Sequence, residues 1–122
     1  MTRTVLLVDD SMDMLDMTRL LFEQAGVECL TACTLAEVQT YGDRLAHIAL
    51  AILDVNLGPA QPSGVEVSAW LRARNISCRI VFLTGHAPDH PLVQQAAGIE
   101  SHVLTKPIKG DELIRIARGR DD

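Results

Sequence analysis

Aromatic residues are scarce in this sequence of 122 residues, at 3% of the chain. They are too few and too scattered to form a platform on which nucleic-acid bases could stack. Basic residues are also in deficit, since 11 Lys and Arg stand against 16 Asp and Glu, for a net charge of −5. A nucleic-acid-binding surface requires the opposite balance. We therefore expect no direct binding to nucleic acid and a core built from aliphatic side chains.

Long apolar runs are missing as well, and none approaches the roughly 18 residues that a membrane-spanning helix needs. The run from Val5 to Val8 ends in two acids and is too short for a secretory signal. The three cysteines, Cys29, Cys33 and Cys78, lack paired spacing, which favours free thiols in a reducing compartment. These absences predict a cytoplasmic protein without membrane contact, and the length suits a single domain over residues 1–122.

Short, continuous apolar runs are the strongest periodic signal that the sequence contains. Runs that are apolar on both faces are typical of strands buried between helices in a parallel sheet. Three such runs and two weaker ones predict strands at residues 4–8, 27–32, 48–53, 79–83 and 102–105.

Amphipathic segments separate these runs and predict five helices. The first begins after Ser11 and stops at Gly26. Its predicted apolar stripe consists of Met14, Met17, Leu21 and Ala25. The second opens at Thr34, which has capping-box spacing to Glu37. The remaining three are predicted at residues 64–74, 91–97 and 111–119.

The resulting order, strand then helix repeated five times, predicts an α/β fold. Right-handed crossovers and the common five-strand topology make it a flavodoxin-like, doubly wound (βα)5 domain. Its parallel sheet should have the strand order 2-1-3-4-5, with helices on both faces. Ligands of such folds bind at the carboxyl ends of the strands, beside the switch point between strands 1 and 3.

Polar residues follow four of the five predicted strands, at what should be one edge of the sheet. In strand order they are Asp9 and Asp10, Asp54, Thr84, and Lys106 with Pro107. Neighbouring carboxylates repel one another unless a cation joins them, and oxygen ligands suit Mg²⁺. A carboxylate beside Mg²⁺, with an ammonium and a hydroxyl opposite, can attack a phosphoryl group.

Each of these residues also has an ordinary structural explanation. Asp10 and Ser11 are both suitable caps for the first helix, and an aspartate at a strand end often caps a loop. A single Lys-Pro or Thr-Gly pair carries little information. The joint placement of all of them at one sheet edge is what favours a functional site.

With these motifs the sequence resembles the receiver domain of two-component response regulators over essentially the whole chain. The resemblance is carried by "VDD" with Asp9 and Asp10, "LDVN" with Asp54, "LTGH" with Thr84, and "TKP" with Lys106 and Pro107. The spacings between these motifs are also the usual ones of the family. The "DDSM" segment lacks the Asp-x-Asp motif of haloacid-dehalogenase-type phosphatases and the phosphate loop of flavodoxins.

The resemblance implies that a sensor histidine kinase or a histidine phosphotransfer protein phosphorylates Asp54. The chain would catalyse its own phosphorylation and dephosphorylation, without being an enzyme for another substrate. Asp10 and Asp54 would bind Mg²⁺, or Mn²⁺ in its place, with Asp9 acting through water and Asn56 through its backbone carbonyl. The phosphoryl oxygens would be held by Thr84 and Lys106.

The resemblance also implies roles around the site. Asn56 and His86, two residues past Asp54 and Thr84, occupy positions that tune hydrolysis of the phosphoryl group. The peptide bond before Pro107 is usually cis in the family. A downstream effector protein or a fused domain would receive the signal, with the chain itself a monomer or weak dimer.

Two features depart from the family pattern. Val103 stands where the family has a switch aromatic, so we predict atypical switching, because valine has no ring to move between core and surface. The loop after Asp54 is two residues longer, with its glycine at Gly64. A pseudo-receiver that binds partners without phosphorylation is therefore kept as the alternative. His86 and His90 are predicted to be solvated loop residues.

Overall fold

Strands and helices alternate along the chain, in a computed structural model that describes residues 3–87, 89–99 and 102–119. The ends of the predicted domain, residues 1–2 and 120–122, lie outside the described residues. The strands are β1 (Arg3–Val8), β2 (Val27–Ala32), β3 (Leu50–Asp54), β4 (Arg79–Thr84) and β5 (Val103–Thr105). The α-helices are α1 (Met12–Gln24), α2 (Leu35–Gln39), α3 (Gly64–Ala73), α4 (Pro91–Ile99) and α5 (Gly110–Ala117).

The five strands form one parallel sheet in the order β2-β1-β3-β4-β5, which confirms the predicted topology. The predicted bounds of the strands and of four helices agree with the structure to within two residues. Val8 of β1 pairs with Leu53 of β3, and Asp54 pairs with Leu83 of β4. This register brings the ends of the three central strands to the same level at one edge of the sheet.

Two aliphatic cores lie on opposite faces of the sheet. Along β1, Val5 and Leu7 pack with α1 and α5, whereas Leu6 and Val8 pack on the side of α2, α3 and α4. All four side chains are at most 1% exposed. The alternation follows from the two-residue period of a strand, and burial on both faces explains why the strands read as continuous apolar runs. None of the helices in the described part of the chain has the length and apolar character to cross a bilayer.

The face that α1 buries differs from the predicted stripe. Met17 is 65% exposed and Met14 is only half-buried, while Leu15, Thr18 and Phe22 are the buried residues of α1. Both sets have helical spacing, so periodicity alone cannot choose between them. The large ring of Phe22 is fully buried in the core that β1, β3 and α5 share, so packing selects the face that contains it.

The second helix begins where its capping signal predicts and is short. The Thr34 side chain accepts the N–H of Glu37 at 3.2 Å, as predicted, while the Glu37 carboxylate takes the N–H of Cys33 at 2.8 Å. The helix ends at Gln39, and a 3₁₀ turn over Gly42–His47 leads into β3.

Candidate functional site

Three carboxylates converge where β1 and β3 end. Asp9, Asp10 and Asp54 each offer an oxygen, and these oxygens lie within 4.8 Å of one another. Asp9 is 1% exposed and Asp54 is 5% exposed, whereas Asp10 faces solvent. Backbone donors fix the two buried groups, since Ser11 N–H lies 2.9 Å from Asp9 Oδ1 and Asn56 N–H lies 3.2 Å from Asp54 Oδ1.

Lys106 bridges the two buried carboxylates from the end of β5. Its Nζ lies 2.8 Å from Asp9 Oδ2 and 3.0 Å from Asp54 Oδ2. Its backbone N–H donates to Thr84 O at 2.7 Å, which ties β5 to β4 at the site. The following peptide bond, Lys106–Pro107, is cis, as expected.

The charges in this cluster do not balance. Burial raises the pKa of Asp54 to about 6, with the charge of Asp9 adding to the rise and the hydrogen bonds from Lys106 and Asn56 opposing it. Burial alone would lower the pKa of Lys106, but its bonds to Asp9 and Asp54 and their charges raise it overall. The cluster contains three carboxylates and the ammonium of Lys106, so its net charge is negative when the carboxylates are ionised.

That donor set fits a divalent cation of the magnesium kind. A hard ion of this size takes carboxylate and carbonyl oxygens together with water. The carboxylates provide the oxygen ligands, and their excess negative charge attracts a cation. The acidic cluster can therefore bind Mg²⁺.

Thr84 ends β4, the strand that pairs with β3. It is 2% exposed, and its Oγ1 accepts the N–H of His86 at 2.9 Å. Because that bond uses an oxygen lone pair, the hydroxyl can still donate its proton to a second group. The five polar residues predicted to share this edge (Asp9, Asp10, Asp54, Thr84 and Lys106) are thus found together.

The two histidines after β4 lie in a loop, as predicted, but they are less solvated than predicted. Both are half-buried, and their rings stack with centroids 4.0 Å apart and planes 11° from parallel. His86 Nε2 lies 3.2 Å from Asn56 Nδ2. The path of the loop brings the rings together, and no periodicity in the sequence specifies that path. Pro88, within the same predicted loop, lies outside the described residues.

The sequence identified Gly64 only as the glycine of the longer loop, and it did not predict that Gly64 contacts the site. A Cβ built on Gly64 would lie 2.2 Å from the carbonyl oxygen of Asp54 and 3.2 Å from Val55 Cα. Its N–H donates to Val55 O at 2.9 Å. The N-terminus of α3 therefore rests directly on the backbone of Asp54. The visible signal was a glycine immediately after Ser63, the residue that caps α3 together with Glu66.

The longer loop is accommodated between Asn56 and Ser63. Gly58 and Ala60 both have positive φ, at 105° and 63°, which lets the chain fold back before α3. A cavity of about 390 Å³ lies beside this loop, and its lining includes Leu57, Gln61, Leu92 and Gln95.

Val103 lies in β5, where it pairs with Phe82 and is half-buried against the core on the α3 and α4 side. It presents a small aliphatic side chain at the position for which the family resemblance implies an aromatic ring.

The fold and the site together define a doubly wound α/β domain with an acidic, lysine-bridged cluster at its switch point. Comparison with known proteins makes this specific. Residues 5–118 match the family model of the response regulator receiver domain. The chain is 30% identical over 118 residues to the transcriptional regulatory protein VxrB of Vibrio cholerae, which covers 97% of this chain and 46% of that protein.

A second relative is the alginate biosynthesis transcriptional regulatory protein AlgB of Pseudomonas putida. It is 30% identical over 109 residues, which is 89% of this chain and 24% of that protein. The chain therefore spans less than half the length of either relative.

Solved structures agree on the fold. A CheY-like receiver domain protein from Methanospirillum hungatei has a TM-score of 0.82 at 21% identity, covering 100% of this chain and 95% of that one. A receiver domain protein from Clostridium thermocellum has a TM-score of 0.80 at 21% identity, covering 98% and 94%. The chain belongs to the response regulator receiver domain family of two-component signalling, a family of signalling domains and not of classical enzymes.

Proposed function

We propose that Asp54 is the phosphoryl acceptor of this receiver domain. A carboxylate oxygen of Asp54 attacks the phosphorus of a phosphohistidine on a sensor kinase or phosphotransfer protein. The P–N bond breaks, an aspartyl phosphate forms, and the imidazole leaves. The observation that supports this best is the position of Asp54 at the end of the central strand, between the acids of β1 and the hydroxyl of β4.

The surrounding residues have matching roles in this proposal. Lys106 and Thr84 hold the oxygens of the phosphoryl group, because an ammonium and a hydroxyl both donate to such oxygens. Lys106 already contacts Asp54 Oδ2 at 3.0 Å, so it is close enough to donate to the oxygens of a phosphoryl group that becomes attached to Asp54. No outside enzyme is needed for the transfer or for the later hydrolysis.

Asp10 and Asp54 are the proposed direct ligands of Mg²⁺, or of Mn²⁺ in its place, with Asp9 acting through water and the Asn56 carbonyl completing the set. The ion would neutralise charge on the transferring phosphoryl group. The excess of carboxylates over the single ammonium in this cluster supports the assignment.

The relatives that match are transcriptional regulators, which supports an upstream kinase and a downstream effector protein or fused domain. We place the chain in the cytoplasm as one receiver unit, residues 1–122, that acts as a monomer or weak dimer. Signalling would proceed without the usual aromatic movement, since Val103 has no ring to move.

Val103 also favours a second candidate, a pseudo-receiver that binds its partners without phosphorylation. The two can be separated by incubating the protein with acetyl phosphate and Mg²⁺ and measuring its intact mass, beside Asp54→Asn and a metal-free sample. The proposed function predicts an adduct of about 80 daltons that requires both Asp54 and the metal. No adduct, even with a cognate kinase, would favour the pseudo-receiver.

A further inference from the structure

A chain of contacts joins the loop after β3 to the loop after β4. Gly58 N–H lies 3.0 Å from Asn56 Oδ1. A backbone N–H can only donate, so the amide oxygen of Asn56 must face it, and the amide nitrogen must face His86. That nitrogen lies 3.2 Å from His86 Nε2. His86 Nε2 is therefore an acceptor, and its lone pair is occupied.

His90 supports this contact by lying against the face of the His86 ring. Its imidazole stacks on that of His86 at 4.0 Å between centroids. His90 is itself held by the start of α4, because its Nδ1 accepts the N–H of Leu92 at 3.2 Å and its carbonyl accepts the N–H of Gln94 at 3.0 Å. The ring of His90 is thus fixed to the helix, and the ring of His86 contacts His90 through its face and Asn56 through Nε2.

We propose that His90 is a positioning residue that prolongs the lifetime of phosphorylated Asp54 by holding the His86 ring against Asn56. This inference rests on the proposed function. We call Asn56, His86 and His90 the side-chain bridge. Its first two members also donate backbone N–H groups to Asp54 Oδ1 and Thr84 Oγ1, so the bridge crosses the sheet edge where those two side chains end.

The direction of the effect follows from the bonding. In hydrolysis a water oxygen attacks phosphorus, the bond to the Asp54 oxygen breaks, and phosphate and the free carboxylate result. A histidine whose Nε2 lone pair is occupied by Asn56 cannot take a proton from that water. The side-chain bridge therefore does not serve as a general base. In our proposal it acts sterically, by occupying space beside the ends of β3 and β4 through which water would reach the phosphoryl group, so loosening it should speed hydrolysis.

The test measures the decay of phosphorylated protein after removal of the phosphodonor. His90→Asn keeps a side-chain acceptor for Leu92 N–H but loses the ring, whereas His90→Phe keeps a ring but loses the acceptor. We expect His90→Asn to decay on the order of 2- to 10-fold faster, the range for loss of a stacked aromatic pair. His90→Phe should decay at close to the wild-type rate.

His86→Ala and the double variant His86→Ala/His90→Asn complete the cycle. If His90 acts through His86, the double variant decays no faster than His86→Ala alone. Three results would each overturn the inference: unchanged decay in His90→Asn, a double variant whose rate increase is the product of the two single increases, or fast decay in His90→Phe alone. The third result would show that His90 only caps the helix. Failure of the wild-type protein to become phosphorylated would instead overturn the proposed function, and this inference with it.

Discussion

Replacing Gly64 by alanine should destabilise the domain through the single methyl group that it adds. The new Cβ would lie 2.2 Å from Asp54 O, 2.9 Å from Asp54 C and 3.2 Å from Val55 Cα. All three are backbone atoms of the site, so α3 or the end of β3 must move. Overpacking of this kind costs about 1–3 kcal/mol, and the closeness of the contact places Gly64→Ala at about 3 kcal/mol.

Gly98→Ala provides the matched control. Gly98 lies in α4, and apart from its chain neighbours and the backbone of its own helix no atom lies within 4 Å of the position that a Cβ would take. Alanine is favoured over glycine inside a helix by up to about 1 kcal/mol, so the same substitution should stabilise the protein there. Urea unfolding measures both, as opposite shifts of the midpoint with unchanged slope. A Gly64→Ala protein as stable as the wild type would refute the close seating of α3 on Asp54.

Three further predictions concern charge and burial. Since the pKa of Asp54 is raised to about 6 in the folded protein, its contribution to the stability of the metal-free protein is full below about pH 4 and is lost as the pH rises through about 6. The free energy of unfolding, measured with denaturant between these pH values, should fall by this contribution in the wild type and not in Asp54→Asn. The same pH dependence in both proteins would contradict the pKa assignment. Mg²⁺ should raise the Tm of the wild type, because it binds preferentially to the folded state. The Tm of Asp10→Asn should rise less, and an equal rise in the two proteins would exclude Asp10 as a ligand. Cys33, which is half-buried, should react with a thiol reagent before Cys29, whose pKa burial raises to about 12. The pKa of Cys33 is raised by burial first, then by the charge of Glu37, and then by the charges of Asp9 and Asp10. Mg²⁺ bound at Asp9 and Asp10 would offset their charge, so it should speed the reaction of Cys33. A reaction rate that does not change with Mg²⁺ would argue against an ion at these two acids.

Much of the fold could be predicted because the sequence contains little ambiguity in its strands. Runs such as Val5 to Val8 are apolar on both faces, and alternation with helices then restricts the topology to a few choices. Once the strand order is known, the carboxyl ends of the parallel strands must lie at the same edge of the sheet. The residues at those ends are Asp9, Asp54, Thr84 and Lys106. This part of the site follows from counting along the chain.

The remaining features depend on distances that no period encodes. The buried face of α1 could not be chosen, because Met17 and Phe22 both lie on helical stripes and only packing decides between them. The stacking of His86 on His90 depends on the path of an irregular loop. The contact of Gly64 with Asp54 joins residues whose separation depends on how the intervening loop folds back.

The central claim, that Asp54 and not a neighbouring acid accepts the phosphoryl group, can be tested by locating the modification. Treating the phosphorylated protein with borohydride reduces an aspartyl phosphate to homoserine, and peptide mass spectrometry then identifies the position. The account predicts homoserine at residue 54 and unmodified aspartate at Asp9 and Asp10. Homoserine at Asp9 or Asp10, or at none of the three after confirmed phosphorylation, would contradict it.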